Sequence, residues 1–178
     1  MTEKLWVVEG REDSQRKPMK ILDIGCGDKK IKGAIGIDLN YETDHVMDLD
    51  EEKIPYVDGT FDIVISRDSI EHFGNPKHIF KEVKRVLKKG GIFHIETVNV
   101  GVFWIRAIPI DWNKGWRHKL NTKRTGHLIH WTPDTLKMWY EIHGFKVTKN
   151  MSHSLLRYKI EMEGTKQASV ATKKVKEW

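Results

Sequence analysis

Apolar positions along this chain fall in short blocks whose spacing changes from one block to the next. Residues 20–24 (Lys-Ile-Leu-Asp-Ile), 34–38 (Ala-Ile-Gly-Ile-Asp) and 45–48 read as short strands. Residues 61–66, Phe-Asp-Ile-Val-Ile-Ser, are nearly continuous in apolar character, as in a strand buried on both faces. Over 75–88 the period becomes helical, with Ile79, Phe80, Val83, Val86 and Leu87 on one face. Asn75 can cap this helix, Pro76 fits its first turn, and Gly90-Gly91 is expected to end it. Strands follow over 91–98 and 145–150, around a helix at 133–143. That helix is capped by Thr132 and stopped by Gly144, with Leu136, Trp139, Tyr140 and His143 on its inner stripe. In 155–163, Leu156, Tyr158, Ile160 and Met162 alternate with Arg157, Lys159, Glu161 and Glu163, the period of an antiparallel strand with one wet face. Residues 1–18 are mixed around the apolar patch Leu5-Trp-Val-Val8, and 164–178 read as a flexible tail.

Two strands lie unusually close together. Only residues 28–33 separate Gly27 from the strand at 34–38. A parallel crossover with its helix needs at least about 10–12 residues. The first crossover helix is therefore expected to be missing or reduced to one turn. The sheet face it would cover needs another cover, for which residues 1–18, with Trp6, or a second copy of the chain in a homodimer are the candidates.

Composition narrows the class. At 178 residues, with 39% hydrophobic and 31% charged residues, the chain suits one globular domain. No apolar run approaches the ~20 residues of a membrane span, and the amino terminus lacks the apolar segment of a secretory leader. One cysteine, Cys26, allows no intrachain disulfide and points to a reducing cytoplasm. The net charge of +6 is uneven. Residues 99–131 carry net +5 and 164–178 net +3, so the remainder is slightly acidic.

The candidate chemistry starts at Lys20-Ile-Leu-Asp-Ile-Gly-Cys-Gly-Asp28 and Gly36-Ile-Asp-Leu39. A strand ends in Gly25 and Gly27, which let backbone approach a ligand closely, and the next strand ends in Asp38, which can accept bonds from ribose hydroxyls. Lys30 stands where a dinucleotide fingerprint has its third glycine. Asp23 and Asp28 flank the turn and would repel a pyrophosphate, but suit the ammonium and sulfonium of S-adenosyl-L-methionine. Val46-Met-Asp-Leu49, Phe61-Asp-Ile-Val-Ile65 and Val86-Leu-Lys-Lys-Gly-Gly91 follow in order. Together these motifs resemble the class I S-adenosylmethionine-dependent methyltransferases, over roughly 20–98 and more loosely 126–150. The resemblance implies an α/β, Rossmann-like, mostly parallel seven-stranded sheet whose last strand is antiparallel. It implies one domain over 1–163, with 99–131 inserted as an acceptor lid. It places Asp23, Gly25, Cys26 and Gly27 at the methionine portion and Asp38 at the ribose. Leu39 would lie beside the adenine, Asp48 and Leu49 at the adenine edge, and Ser66 and Arg67 at the methyl-donor pocket.

On the acceptor side, Ser66-Arg-Asp-Ser-Ile-Glu-His-Phe73 follows a strand, and His72 is the candidate base. The alternative is that Glu71 and His72 only pin the loop. Residues 99–131 hold Trp104, Trp112, Trp116 and Trp131 among basic residues including Arg106. Trp104, Arg106, Trp116, His127 and His130 are candidate acceptor contacts. Such a segment fits RNA bases and phosphates, a small acidic or aromatic acceptor, or a lid with its own small core. A small molecule is favoured, and RNA binding through 99–131 and the basic tail stays open. His118, His127 and His130 invite a zinc reading, but no cysteine is near and Asp111 is the one carboxylate of the segment, so no metal is expected. The main rival to an enzyme is a catalytically silent methyltransferase-like subunit that binds RNA or protein.

Overall fold

The computed structural model describes residues 18–39, 43–101, 127–151 and 159–168. The strands are β1 (Ile21–Ile24), β2 (Ile35–Asp38), β3 (His45–Val46), β4 (Phe61–Arg67), β5 (Leu87–Val98), β6 (Phe145–Asn150) and β7 (Lys159–Lys166). A 3-10 turn, Ile70–His72, leads into α1 (Pro76–Val86), and α2 (Pro133–Ile142) precedes β6. The seven strands form one sheet in the order β3-β2-β1-β4-β5-β7-β6. All pairings from β3 to β5 are parallel, and β7 runs antiparallel to both β5 and β6. This is the Rossmann-like methyltransferase sheet that the motifs imply.

One face carries the core. Leu22, Ile24, Ile37, Val64, Phe93, Ile95, Ile160 and Met162 are fully buried, and adjacent strands pair them in register. Helices α1 and α2 pack on this face and on each other through Phe80, whose ring meets Phe93, Tyr140 and Trp139. The opposite face carries Asp23, Arg67, His94, Glu96, Lys159, Glu161 and Glu163, and several of them are ion-paired.

The first crossover has no helix. From Gly25 to Ala34 the chain turns and bends, held by bonds from Lys29 N to Cys26 O (3.2 Å) and Ala34 N to Ile31 O (3.0 Å). Of residues 1–18, expected as one cover for the sheet, 1–17 lie outside the described residues.

Two boundaries differ from expectation. Helix α1 ends at Val86, and Leu87 already pairs with Phe61 in β5. Gly90-Gly91 therefore does not stop the helix. It forms an irregularity inside β5, where Gly90 takes φ +74° and the register shifts opposite Phe61–Ile63. Extended backbone at Leu87 (ψ 141°) ends the helix first. Second, β7 runs to Lys166, so residues 164–166 pair with β5 and β6 rather than opening a tail. Gly164 faces the Tyr140 ring, which keeps that stretch on the sheet.

Candidate functional site

In a parallel sheet, ligands gather at the carboxyl ends of strands where the strand order reverses. Here the reversal lies between β1 and β4. The turn after β1 sits there with Gly25 at φ +63° and Gly27 at φ +56°. The neighbouring strand clamps it. Gly25 N and Cys26 N donate to Ile37 O (2.8 and 3.3 Å), and Gly27 N donates to Asp38 Oδ2 (2.9 Å). A Cβ on Gly25 would stand 2.5 Å from Ser69 Cβ. Ser69 Oγ donates to Ile24 O (3.0 Å) and shares a 2.6 Å bond with Ser66 Oγ, so the end of β4 is latched to the end of β1. Cys26 is buried with Sγ 3.5 Å from Thr43 Oγ1, and burial pushes its thiol up.

The carboxylates are more occupied than their spacing suggests. Asp23 Oδ2 accepts from Ile31 N (2.8 Å) and from Arg67 Nη2 (3.3 Å), and the same Arg67 nitrogen donates to Lys29 O (2.8 Å). Arg67 thus offsets the negative charge that would attract a sulfonium. Asp23 Oδ1 is buried with no partner among the described residues, and burial pushes the carboxyl up despite Ile31 and Arg67. Asp38 is buried, and one of its oxygens holds the turn. Asp48 Oδ1 accepts from Asp50 N (3.0 Å), Leu49 lies in the core and Leu39 is half-buried. Lys30 bonds Asp44 (2.7 Å) and Lys29 is exposed.

A second cluster is assembled by Glu71. Its side chain is 2% exposed and accepts from Thr97 Oγ1 at 2.7 Å. Its carbonyl accepts from Leu128 N (2.8 Å) and Ile129 N (3.1 Å). These bonds press residues 127–129 onto the 3-10 turn and set the His127 ring edge-on to His72, centroids 4.9 Å apart. Donor atoms of Glu71, His72 and His127 lie within 4.8 Å of one another. Burial, then the neighbouring His72 and His130, brings the His127 imidazole down to about 4, and burial pushes the Glu71 carboxyl up.

Of the three histidines that invited a zinc reading, His127 meets the ring of His72, while His130 is exposed. Trp131, grouped with the lid, is 1% exposed and belongs to the core. Trp104, Arg106, Trp116 and His118 lie outside the described residues. Sequence reasoning missed Thr97, Ser69 and Asp50. Asp50 accepts from Gly74 N (2.8 Å) and Asn75 N (2.9 Å) and fixes the entry to α1. A hydroxyl or carboxylate at a strand end carries no spacing signal of its own. These partners become visible only once the sheet brings their strands together.

Comparison with known proteins agrees with this geometry. A family model described as a methyltransferase domain matches residues 7–150. Ribosomal RNA-processing protein 8 of Caenorhabditis briggsae is 38% identical over 94 residues, 47% of this chain and 28% of that protein. Ubiquinone biosynthesis O-methyltransferase of Maricaulis maris is 25% identical over 123 residues, 55% of this chain and 48% of that protein. The chain thus spans less than half the length of these relatives. Among solved structures, a chain in the complex of the Haloferax volcanii Trm112 methyltransferase activator with a methyltransferase has a similar fold. Its TM-score is 0.60 at 16% identity, over 85% of this chain and 83% of that one.

Proposed function

The chain belongs to the methyltransferase-domain family, class I, and we propose that it binds S-adenosyl-L-methionine and moves its methyl group to a small-molecule acceptor. The observation that carries this reading is the double-glycine turn, clamped onto β2 at the point where the strand order reverses. Residues up to Lys166 form the domain, with 99–131 as the acceptor lid. Asp23, Gly25, Cys26 and Gly27 line the methionine end, with Ser66 and Arg67 beside them. Asp38 takes the ribose, and Leu39, Asp48 and Leu49 take the adenine.

The reaction is an in-line displacement. An acceptor lone pair forms the new bond to the methyl carbon, the sulfonium C–S bond breaks, and its electrons stay on sulfur as a thioether. The donor is already activated, so holding the two reactants in line supplies much of the rate. An acceptor O–H or N–H must also lose its proton, and we assign that step to His72 as general base. Ser66, near the end of β4, bonds Ser69 just past it, and many amino-methylating enzymes have a different motif at this place. This disfavours a base amino group as acceptor.

Calorimetric titration with S-adenosylhomocysteine tests the reading. Saturable binding is expected, and Asp38→Ala should abolish most of it. Folded protein that gives no heat at millimolar ligand would sink the proposal. The second reading, a silent subunit that binds RNA or a protein, draws on Arg67, which already offsets Asp23. It also draws on the ribosomal RNA-processing relative and the neighbour caught with an activator protein. A silent subunit binds the cofactor product weakly or not at all, so the same titration separates the two.

A further inference from the structure

We propose that Glu71, His72 and His127 form a binding site for a divalent transition-metal cation of the zinc type, with a coordination position left open toward the acceptor. Two imidazoles and one carboxylate are the donor set of many catalytic zinc sites, in which three protein ligands leave a fourth position unfilled. Nitrogen and oxygen donors of this kind also suit cobalt, and they disfavour magnesium and calcium, which prefer oxygen alone.

The geometry is close to what a cation needs. Ligands about 2.0–2.2 Å from a tetrahedral zinc stand roughly 3.4 Å from each other. Here the three donor atoms lie within 4.8 Å of one another, so small side-chain rotations bring them to a common ion. The supporting contacts are in place. Thr97 Oγ1 donates to the Glu71 carboxylate, the kind of outer bond that orients a metal-binding carboxylate. The Glu71 carbonyl anchors Leu128 and Ile129, which fixes His127 against the turn that bears Glu71 and His72. Among the described residues no lysine or arginine pairs with the buried Glu71 carboxylate, and a cation would supply that missing charge. The site is distinct from the His127–His130 spacing, since His130 is exposed.

The role of such a cation rests on the acceptor-side reading above. With the cation bound, the His72 lone pair would be taken up and His72 would no longer serve as the base; the cation's charge would instead lower the pKa of an acceptor hydroxyl, whose proton would pass to solvent.

The test needs no cofactor, so its failure and that of the donor reading are separable. The metal-free full chain is titrated with Co2+, followed by its visible absorption, and then competed with Zn2+. One equivalent should bind, with the absorption of a four- or five-coordinate nitrogen–oxygen site. Affinity should fall at least about tenfold in His127→Ala and in Glu71→Gln, and about tenfold in Thr97→Val. His130→Ala should leave it unchanged. Circular dichroism of each variant checks that it is folded, and His72→Ala provides a second ligand deletion if one variant is not. The proposal is overturned if folded wild-type protein binds no Co2+ saturably. It is overturned equally if binding survives in folded His127→Ala, or is lost as strongly in His130→Ala. The three side chains would then be hydrogen-bonded loop residues only.

Discussion

His94 shows how a single residue can oppose its surroundings. It is 4% exposed on β5, directly across from Glu163 on β7, with Nδ1 3.4 Å from a Glu163 oxygen. Glu161 and Glu96 also face it and favour its charged form, while Lys149 and Lys159 hold Glu163 and Glu96. Burial outweighs the carboxylates and pulls the imidazole below its ordinary value. The unfolded chain therefore binds a proton that the folded chain resists, over the range from about 6.5 down to the folded value. Stability contributed by neutral His94 is present above that range and lost as pH falls through it. We expect the unfolding free energy of wild type, minus that of His94→Gln, to decrease between pH 7 and 5 in urea titrations. A difference that stays constant or grows would mean that the carboxylates, not burial, control this group. The glycine turn is the opposite case, because its need for glycine was legible from residue type and position: Gly25 and Gly27 do take positive φ at the end of β1. The charge argument built on Asp23 was not legible, since Arg67 comes from a strand far along the chain and offsets it only in the folded sheet.

Periodicity carried furthest among the elements. The apolar stripe Ile79, Phe80, Val83 and Val86 is buried along α1, and Leu136 and Tyr140 are buried along α2. The caps read from Asn75 and Thr132 are both formed, the second as a reciprocal box with Thr135. What local pattern could not carry was the junction between α1 and β5. The glycine pair resembles a helix stop, but pairing of Leu87 with Phe61 decides the boundary earlier. Nor could it reveal Gly164 in β7. Its residue pairs with Phe93 and packs under the Tyr140 ring, whose hydroxyl lies 3.1 Å from the carbonyls of both Phe93 and Met162. A methyl group there has no room unless Tyr140 moves and gives up those contacts. Gly164→Ala should cost about 1–3 kcal/mol through overpacking, read as a lower midpoint in urea at unchanged slope. Equal stability would show that α2 can shift on the sheet.

At the scale of the whole molecule the helices are unevenly placed. Both α1 and α2 pack over the half of the sheet that holds β5, β6 and β7, through Phe80, Phe93, Tyr140 and Phe145. Among the described residues no helix lies between β1 and β2 or between β3 and β4, and β3 is two residues long. Turn hydrogen bonds and the Lys30–Asp44 and Arg67–Asp23 pairs brace that end instead. The Lys30–Asp44 pair is exposed and contributes little, and no helix packs on this end among the described residues, so the end that carries the proposed cofactor turn should open at lower free energy than the end that carries the core. Native-state hydrogen exchange can read this directly. Amides of β4, β5 and β7 should exchange at the global limit, and those of Gly25, Cys26, Gly36 and Met47 through smaller openings. Cofactor product that binds across the Gly25–Gly27 turn and Asp38 would close these openings. At ~100 times its dissociation constant it should add about 2.7 kcal/mol to their protection. Protection gained only in the β5–β7 half would place the ligand elsewhere. Uniformly high protection without ligand would show that the short crossover braces the turn as well as a helix does.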